Sequence, residues 1–316
     1  MRRRALLSSL AAAPTAVAGC LSVGGGCSRG RTVTFAPVDA AEIAERDAVP
    51  ADSDRPMLLE ALLNRALSEG GVAIETVHRD PLGWLRYYRT DGAFYEIEST
   101  TLEEGDVTGP EYRLRRDGDV PDDPDPAETL QYGDLPFQDR LRVGEAVDYR
   151  PERLAVRDRD RAFESVPFVA GYLDPDVRAG SRLAAGVEAS YLSVGDGEFA
   201  IDDRGEGTTT ARRIAYAAER VADDANEFAD VVLAERGATL DAPPAEAEEL
   251  LRTVREEGGR LEVCDDEGAG SGESHREAAD ALEAYLADLE SDVPGDVKYG
   301  RYEGEWYRVG VSEWVV

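Results

Sequence analysis

Two runs of β-prone residues flank an Asp-Gly pair in the first third of the chain. Trp84 to Thr90 and Ala93 to Glu98 alternate apolar or aromatic positions with polar ones, and Asp91-Gly92 is a favoured two-residue connection for an antiparallel hairpin. The arrangement returns at Val187 to Val194, turning at Asp196-Gly197 into Glu198 to Ile201. It returns again at Val297 to Tyr302, turning at Glu303-Gly304 into Glu305 to Val311. Aligned on the turn glycine, Phe94, Phe199 and Trp306 follow two positions later, and Tyr87, Leu192 and Tyr299 lie five positions earlier. In the third copy a two-residue turn sets Tyr307 opposite Gly300, where an aromatic ring can cover bare backbone.

Helical spacing leads toward these hairpins. Met57 to Glu69 follows Pro56 and ends at Gly70-Gly71, the expected start and stop signals. Arg276 to Glu290 places Ala278, Leu282, Tyr285 and Leu289 on one face. A middle counterpart is expected over Arg159 to Tyr172, broken at Pro167. Short strand-like starts precede the helices at Thr32–Pro37, Thr129–Pro136 and Ala238–Pro243. Thr209 to Arg236 reads as one long helix with a seam of Ile214, Ala218, Val221, Ala225, Phe228 and Val232. These elements predict an α+β fold of about three divergent units, each of helices packed on an antiparallel β-hairpin, plus the long helix 209–236. The expected divisions are 1–19 (signal peptide), 20–31 (tether), 32–118 (first unit), 119–128 (acidic, Pro-rich linker), 129–237 (second unit) and 238–316 (third unit).

Charge changes the picture. Against 66 Asp and Glu stand 35 Lys and Arg, a formal net charge of −31, and Lys298 is the sole lysine. With hydrophobic residues at 42% the chain can still build a core. A nucleic-acid partner is excluded, since a phosphate backbone is bound by clustered basic residues and none cluster beyond the first few positions. Acid excess with near-total loss of lysine resembles the proteins of salt-loving archaea. At molar salt the Debye length falls to about 3 Å, so a carboxylate-covered surface no longer repels itself.

At the N-terminus, Arg2-Arg3-Arg4 precedes an apolar, Ala-rich stretch that ends at Gly19. It is too short and interrupted to span a bilayer and reads as an export signal. The pair Arg3-Arg4 resembles a twin-arginine signal, which exports folded chains. Val17-Ala18-Gly19-Cys20 resembles a lipobox. Together these features resemble the exported lipoproteins of halophilic archaea. The resemblance implies cleavage before Cys20, a lipid on its thiol, and residence on the outer face of the cytoplasmic membrane. Two acyl chains are what stable anchoring requires. Cys27 and Cys264 then remain, and an extracellular setting permits them to form a disulfide.

Candidate chemistry is sparse. His78 and His275 lie in no metal-binding spacing, and the His78-x-Asp80 pair has no nucleophile at a recognisable elbow. Asp117, Asp119, Asp122, Asp123 and Asp125 can be read as a degenerate calcium stretch, but the turn glycine such a loop needs is missing, and a solvated linker is the better reading. No catalytic residue, metal site or cofactor is expected. Trp84, Tyr88, Phe94, Tyr95, Trp306 and Tyr307 are the candidate recognition face, because aromatic hairpin residues serve either a core or an exposed patch. The expected function is a non-enzymatic module that binds an envelope protein or a small ligand, held to membrane lipid through Cys20. The alternatives are a solute-binding lipoprotein of a transporter and an envelope hydrolase.

Overall fold

The computed structural model describes residues 28–51, 57–116, 120–121, 124–147, 163–194, 197–264, 272–290 and 296–315. The export signal with Arg3 and Arg4, Cys20, Cys27 and four of the five aspartates of 117–125 lie outside them. The fifth, Asp125, accepts a hydrogen bond from Ala127 N at 2.9 Å and so caps a short 3-10 turn.

The fold is α+β. Along the chain, β1 (Arg29–Pro37) precedes α1 (Ala40–Asp47), β2 (Ala48–Pro50), α2 (Met57–Glu69), β3 (Val72–Thr76), β4 (Tyr87–Thr90) and β5 (Ala93–Arg116). Then come β6 (Thr129–Gln131), α3 (Phe137–Ala146), β7 (Phe163–Glu164), β8 (Phe168–Val169), α4 (Pro175–Gly180), β9 (Tyr191–Val194) and β10 (Gly197–Ala222). Last are α5 (Ala225–Arg236), β11 (Gly237–Thr239), α6 (Ala245–Glu256), β12 (Arg260–Cys264), α7 (Gly272–Glu290), β13 (Tyr299–Tyr302) and β14 (Glu305–Val315). Two compact units result, not three consecutive ones. The described residues up to Val38 join those from Glu235 onward in a terminal unit, and Asp39–Ala234 form a central unit. The expected first unit is divided because β1 pairs with β14 and β12, strands from the opposite end of the chain. No unit boundary falls at 119–128.

The terminal unit is a five-stranded sheet, ordered β11-β13-β14-β1-β12, antiparallel except for β11 beside β13. Helix α6 buries Ala247, Leu250, Leu251 and Val254, at steps of 3, 1 and 3, and α7 buries Ala278, Ala279, Leu282 and Leu286. Both stripes pack in one core with Val33, Phe35, Val263, Tyr307 and Val309. Phe35 stacks on Tyr307 with ring centroids 4.2 Å apart. The β13–β14 hairpin turns at Glu303 and Gly304, with φ of 51° and 91°, the mirror-image turn whose twist matches the strands. Gly300 does pair with Tyr307, but the space above it belongs to Leu240, whose Cδ1 would lie 2.5 Å from an added Cβ.

The central unit is organised by β5 and β10, which pair antiparallel from Phe94–Ala222 to Ala200–Arg115. At about 3.3 Å per residue the 24 residues of β5 run roughly 80 Å. At one end β4 and β2 flank β5 while β3 flanks β10; at the other, β7 and β8 flank β5 while β9 and β6 flank β10. Each end has its own core. Leu62, Leu63, Ile74, Tyr88 and Ile214 belong to the first, and Tyr112, Leu130, Phe168, Leu192 and Phe199 to the second. Helix α3 serves both, with Leu141 in the first and Val143 and Ala146 in the second. Midway the segment around Ala170-Gly171 crosses the ribbon closely enough that a Cβ on Gly109 would lie 2.5 Å from the Ala170 carbonyl oxygen. Gly109→Ala is therefore expected to destabilise the central unit by about 1–3 kcal/mol, since backbone must move. Gly92→Ala, in open space at φ 78°, is expected to cost about 1 kcal/mol of turn strain. Urea unfolding of the two variants checks the order.

Two helical expectations are corrected. Residues 209–222 are strand, not the first half of a long helix; only α5 is helical there. The seam positions Ile214 and Ala218 satisfy a step of two through Tyr216 as well as a step of four. Pairing with β5 decides between them, because it buries Ala211, Ile214 and Tyr216 and satisfies the backbone. The expected helix ending at Tyr172 is, over its described part, two short strands that add to β5.

Candidate functional site

The expected aromatic face is largely core. Tyr88 and Phe94 are 1% and 2% exposed and Tyr307 is buried, because the alternation that suggested a face is the alternation of strands with one covered side. Phe94 stacks on Phe228 of α5 at 4.4 Å, and Tyr87 meets the same ring edge-on. Tyr95 and Trp306 are half-buried. Trp84 is the exposed member, at 57%, with its indole N–H donated to the Pro81 carbonyl at 2.9 Å. Tyr88, Phe94 and Tyr307 are therefore packing residues and not part of an exposed recognition face. The His78-x-Asp80 pair is local scaffolding: Asp80 Oδ1 accepts from Leu82 N and from the Tyr216 hydroxyl, while His78 N donates to Thr76 Oγ1.

The strongest concentration of buried charge lies on α3, and the sequence did not single it out. Asp139, Arg142 and Glu145 follow one another at steps of three, so they share a helix face, and all are buried. Asp139 accepts from the Tyr172 hydroxyl at 2.7 Å, Ser181 Oγ at 2.6 Å, Arg182 N at 2.8 Å and Leu183 N at 3.3 Å. Arg142 donates to Glu145 at 3.0 Å and to the Gly171 carbonyl at 3.1 Å. Glu145 also accepts from Val77 N, and the carboxylate of Glu75 receives Leu173 N at 2.6 Å and Asp174 N at 2.8 Å. Burial, and then the charge of Asp139, push the Tyr172 hydroxyl far above its ordinary pKa, so it stays a donor. Asp139 and Glu75 clamp residues 172–183 to α3 and β3, and Glu145 ties α3 to Val77 just after β3. A carboxylate with its acceptor sites filled by structural donors is a poor general base.

A second concentration is open to solvent. In the terminal unit a cavity of about 370 Å³ lies between α6 and the β13–β14 turn, lined by Phe35, Ala245, Glu248, Glu249, Arg252, Arg255, Tyr302 and Glu303. Arg252 pairs with Glu249 and, at 3.4 Å, with Glu256; Arg255 pairs with Glu303 at 3.0 Å. Glu303 holds a left-handed φ of 51°, a conformation that costs a non-glycine residue roughly 1 kcal/mol, and its carboxylate reaches Arg255 from there. The Tyr302 hydroxyl donates to Glu248 at 3.4 Å. Burial, then Glu248 and Glu303, raise the Tyr302 pKa.

Among the described residues no group of three or more His, Cys, Asp or Glu is arranged to hold a metal ion, and no helix is long and apolar enough to cross a membrane. No protein-family model, curated protein or solved structure matches the chain. Cys264, the last residue of β12, is disulfide-bonded. The chain's other cysteines, Cys20 and Cys27, lie outside the described residues.

Proposed function

We propose that the protein is a lipoprotein anchored through Cys20 on the outer face of the cytoplasmic membrane, and that it acts there by binding. The observation that carries this reading is the disulfide at Cys264. Disulfides persist where the surroundings oxidise, which fits an exported chain. The register of β1 with β12 sets Gly30 opposite Cys264, three residues from Cys27 and ten from Cys20. Cys27 is the nearer of the two along the sequence, and pairing through it would leave the Cys20 thiol for the lipid that the preceding Val17-Ala18-Gly19 suggests. Binding is favoured over catalysis because Glu75, Asp139 and Glu145 are spent on holding the fold.

Peptide mass spectrometry of the full chain, expressed in a high-salt host and digested without reduction, tests the reading. The expected products are a Cys27–Cys264 crosslinked peptide and a chain beginning at a Cys20 that carries two acyl groups. Cys20→Ala is expected to release the protein from the membrane fraction, whereas Cys27→Ser leaves it there. Recovery of the chain in the cytoplasm with Cys20 unmodified would overturn the proposal.

A further inference from the structure

The open cavity of the terminal unit has an uneven charge balance. Both of its guanidinium groups are occupied, Arg252 by Glu249 and Glu256 and Arg255 by Glu303. Glu248 differs. Among the described residues it is in no ion pair, although Arg252 and Arg255 line the same cavity, and its partner is the neutral Tyr302 hydroxyl at the long distance of 3.4 Å. Beside it lies the half-buried ring of Tyr302, braced edge-on by Phe35 at 5.8 Å. A carboxylate outside any ion pair, next to an aromatic side chain, is a pairing that takes a flat cation: the carboxylate can accept two parallel N–H bonds while the ring's negative face attracts the charge. An anion would have to break three ion pairs to be received and would meet three carboxylates on the walls.

We propose that this cavity binds a guanidinium group, presented by an arginine side chain, with Glu248 as its anionic partner and Tyr302 as the surface on which it stacks. The volume is at the low end of the range for small-molecule sites and so admits one such side chain. The assignment deepens the reading of the protein as a binding module and rests on it. It is independent of the lipid anchor, and its failure would leave anchoring at Cys20 untouched.

The test is a titration of the purified chain, in constant molar potassium chloride, with L-argininamide and with L-citrullinamide, an analogue of nearly the same shape whose ureido side chain is uncharged. The tyrosine ring and arginine side-chain signals in the NMR spectrum report occupancy. Argininamide is expected to saturate in the millimolar range, and citrullinamide to bind about tenfold more weakly or not at all, because the contact is charge-assisted. Glu248→Gln and Tyr302→Leu are each expected to weaken argininamide by about five- to tenfold. Glu248 is exposed, so its replacement leaves the fold intact. Equal affinity for the two ligands, affinity unchanged in Glu248→Gln, or no saturable binding would each overturn the proposal.

Discussion

Asp139→Ala is expected to lower the stability of the central unit by about 4 kcal/mol, because four donors lose their acceptor together and each buried orphan costs roughly 1–3 kcal/mol. That is a large share of the 5–15 kcal/mol by which domains are stable. Asp139→Asn keeps the volume but turns an amide N–H₂ toward at least one of those donors, so about half the loss is expected from it. Urea is the denaturant to use, since guanidinium chloride would change ionic strength as well. Trp84 is the central unit's own tryptophan, while Trp306 and Trp314 belong to the terminal unit. With both of the latter replaced by phenylalanine, fluorescence follows the central unit alone. A loss below about 1 kcal/mol would mean that water replaces the carboxylate and that residues 171–183 are held by packing.

Transfer from about 3 M to about 0.1 M salt is expected to unfold the protein, because the Debye length grows from under 3 Å to about 10 Å. At that range the carboxylates behind a net charge of −31 repel one another across the whole surface. The exposed ion pairs do little to oppose this. Arg65–Glu69 and Arg260–Glu262, for example, join exposed side chains that water and salt screen, so they contribute little. Near-ultraviolet circular dichroism should collapse on dialysis and return when salt is restored. A spectrum indifferent to salt would remove the likeness to the proteins of salt-loving archaea and leave a composition bias without a physical role.

What the sequence disclosed follows the physics of each element. Asp91-Gly92 and Glu303-Gly304 announce hairpins because the required positive φ is a strictly local demand. Helices α2 and α7 were visible through their terminal signals and apolar faces. The ribbon of β5 and β10 was not. From Ser99 to Glu104 every residue of β5 is exposed, so no apolar alternation marks it, and the register shift between Arg213 and Ile214 breaks the alternation of β10. Two strands with little to bury are held there by each other's backbone, a partnership between residues about 100 positions apart that no local window contains. The Asp139, Arg142 and Glu145 cluster was hidden for another reason. In a chain with 66 acidic residues a carboxylate three places from an arginine is unremarkable, and only burial distinguishes this set. Aromatic residues on strands betray their alternation but not which side is covered, and so Tyr88 and Phe94 read as a surface.

The place of β1 inside the terminal sheet has a consequence for the order of events during synthesis. This strand is made more than 200 residues before its neighbours β12 and β14. Until then it has no sheet to join, and closing a loop of more than 200 residues carries an entropic cost that local contacts do not offset beforehand. The central unit, complete by Ala234, can form while the rest is still being translated. The terminal unit waits for β14, so any step that handles the protein as a folded body comes after that strand has been made.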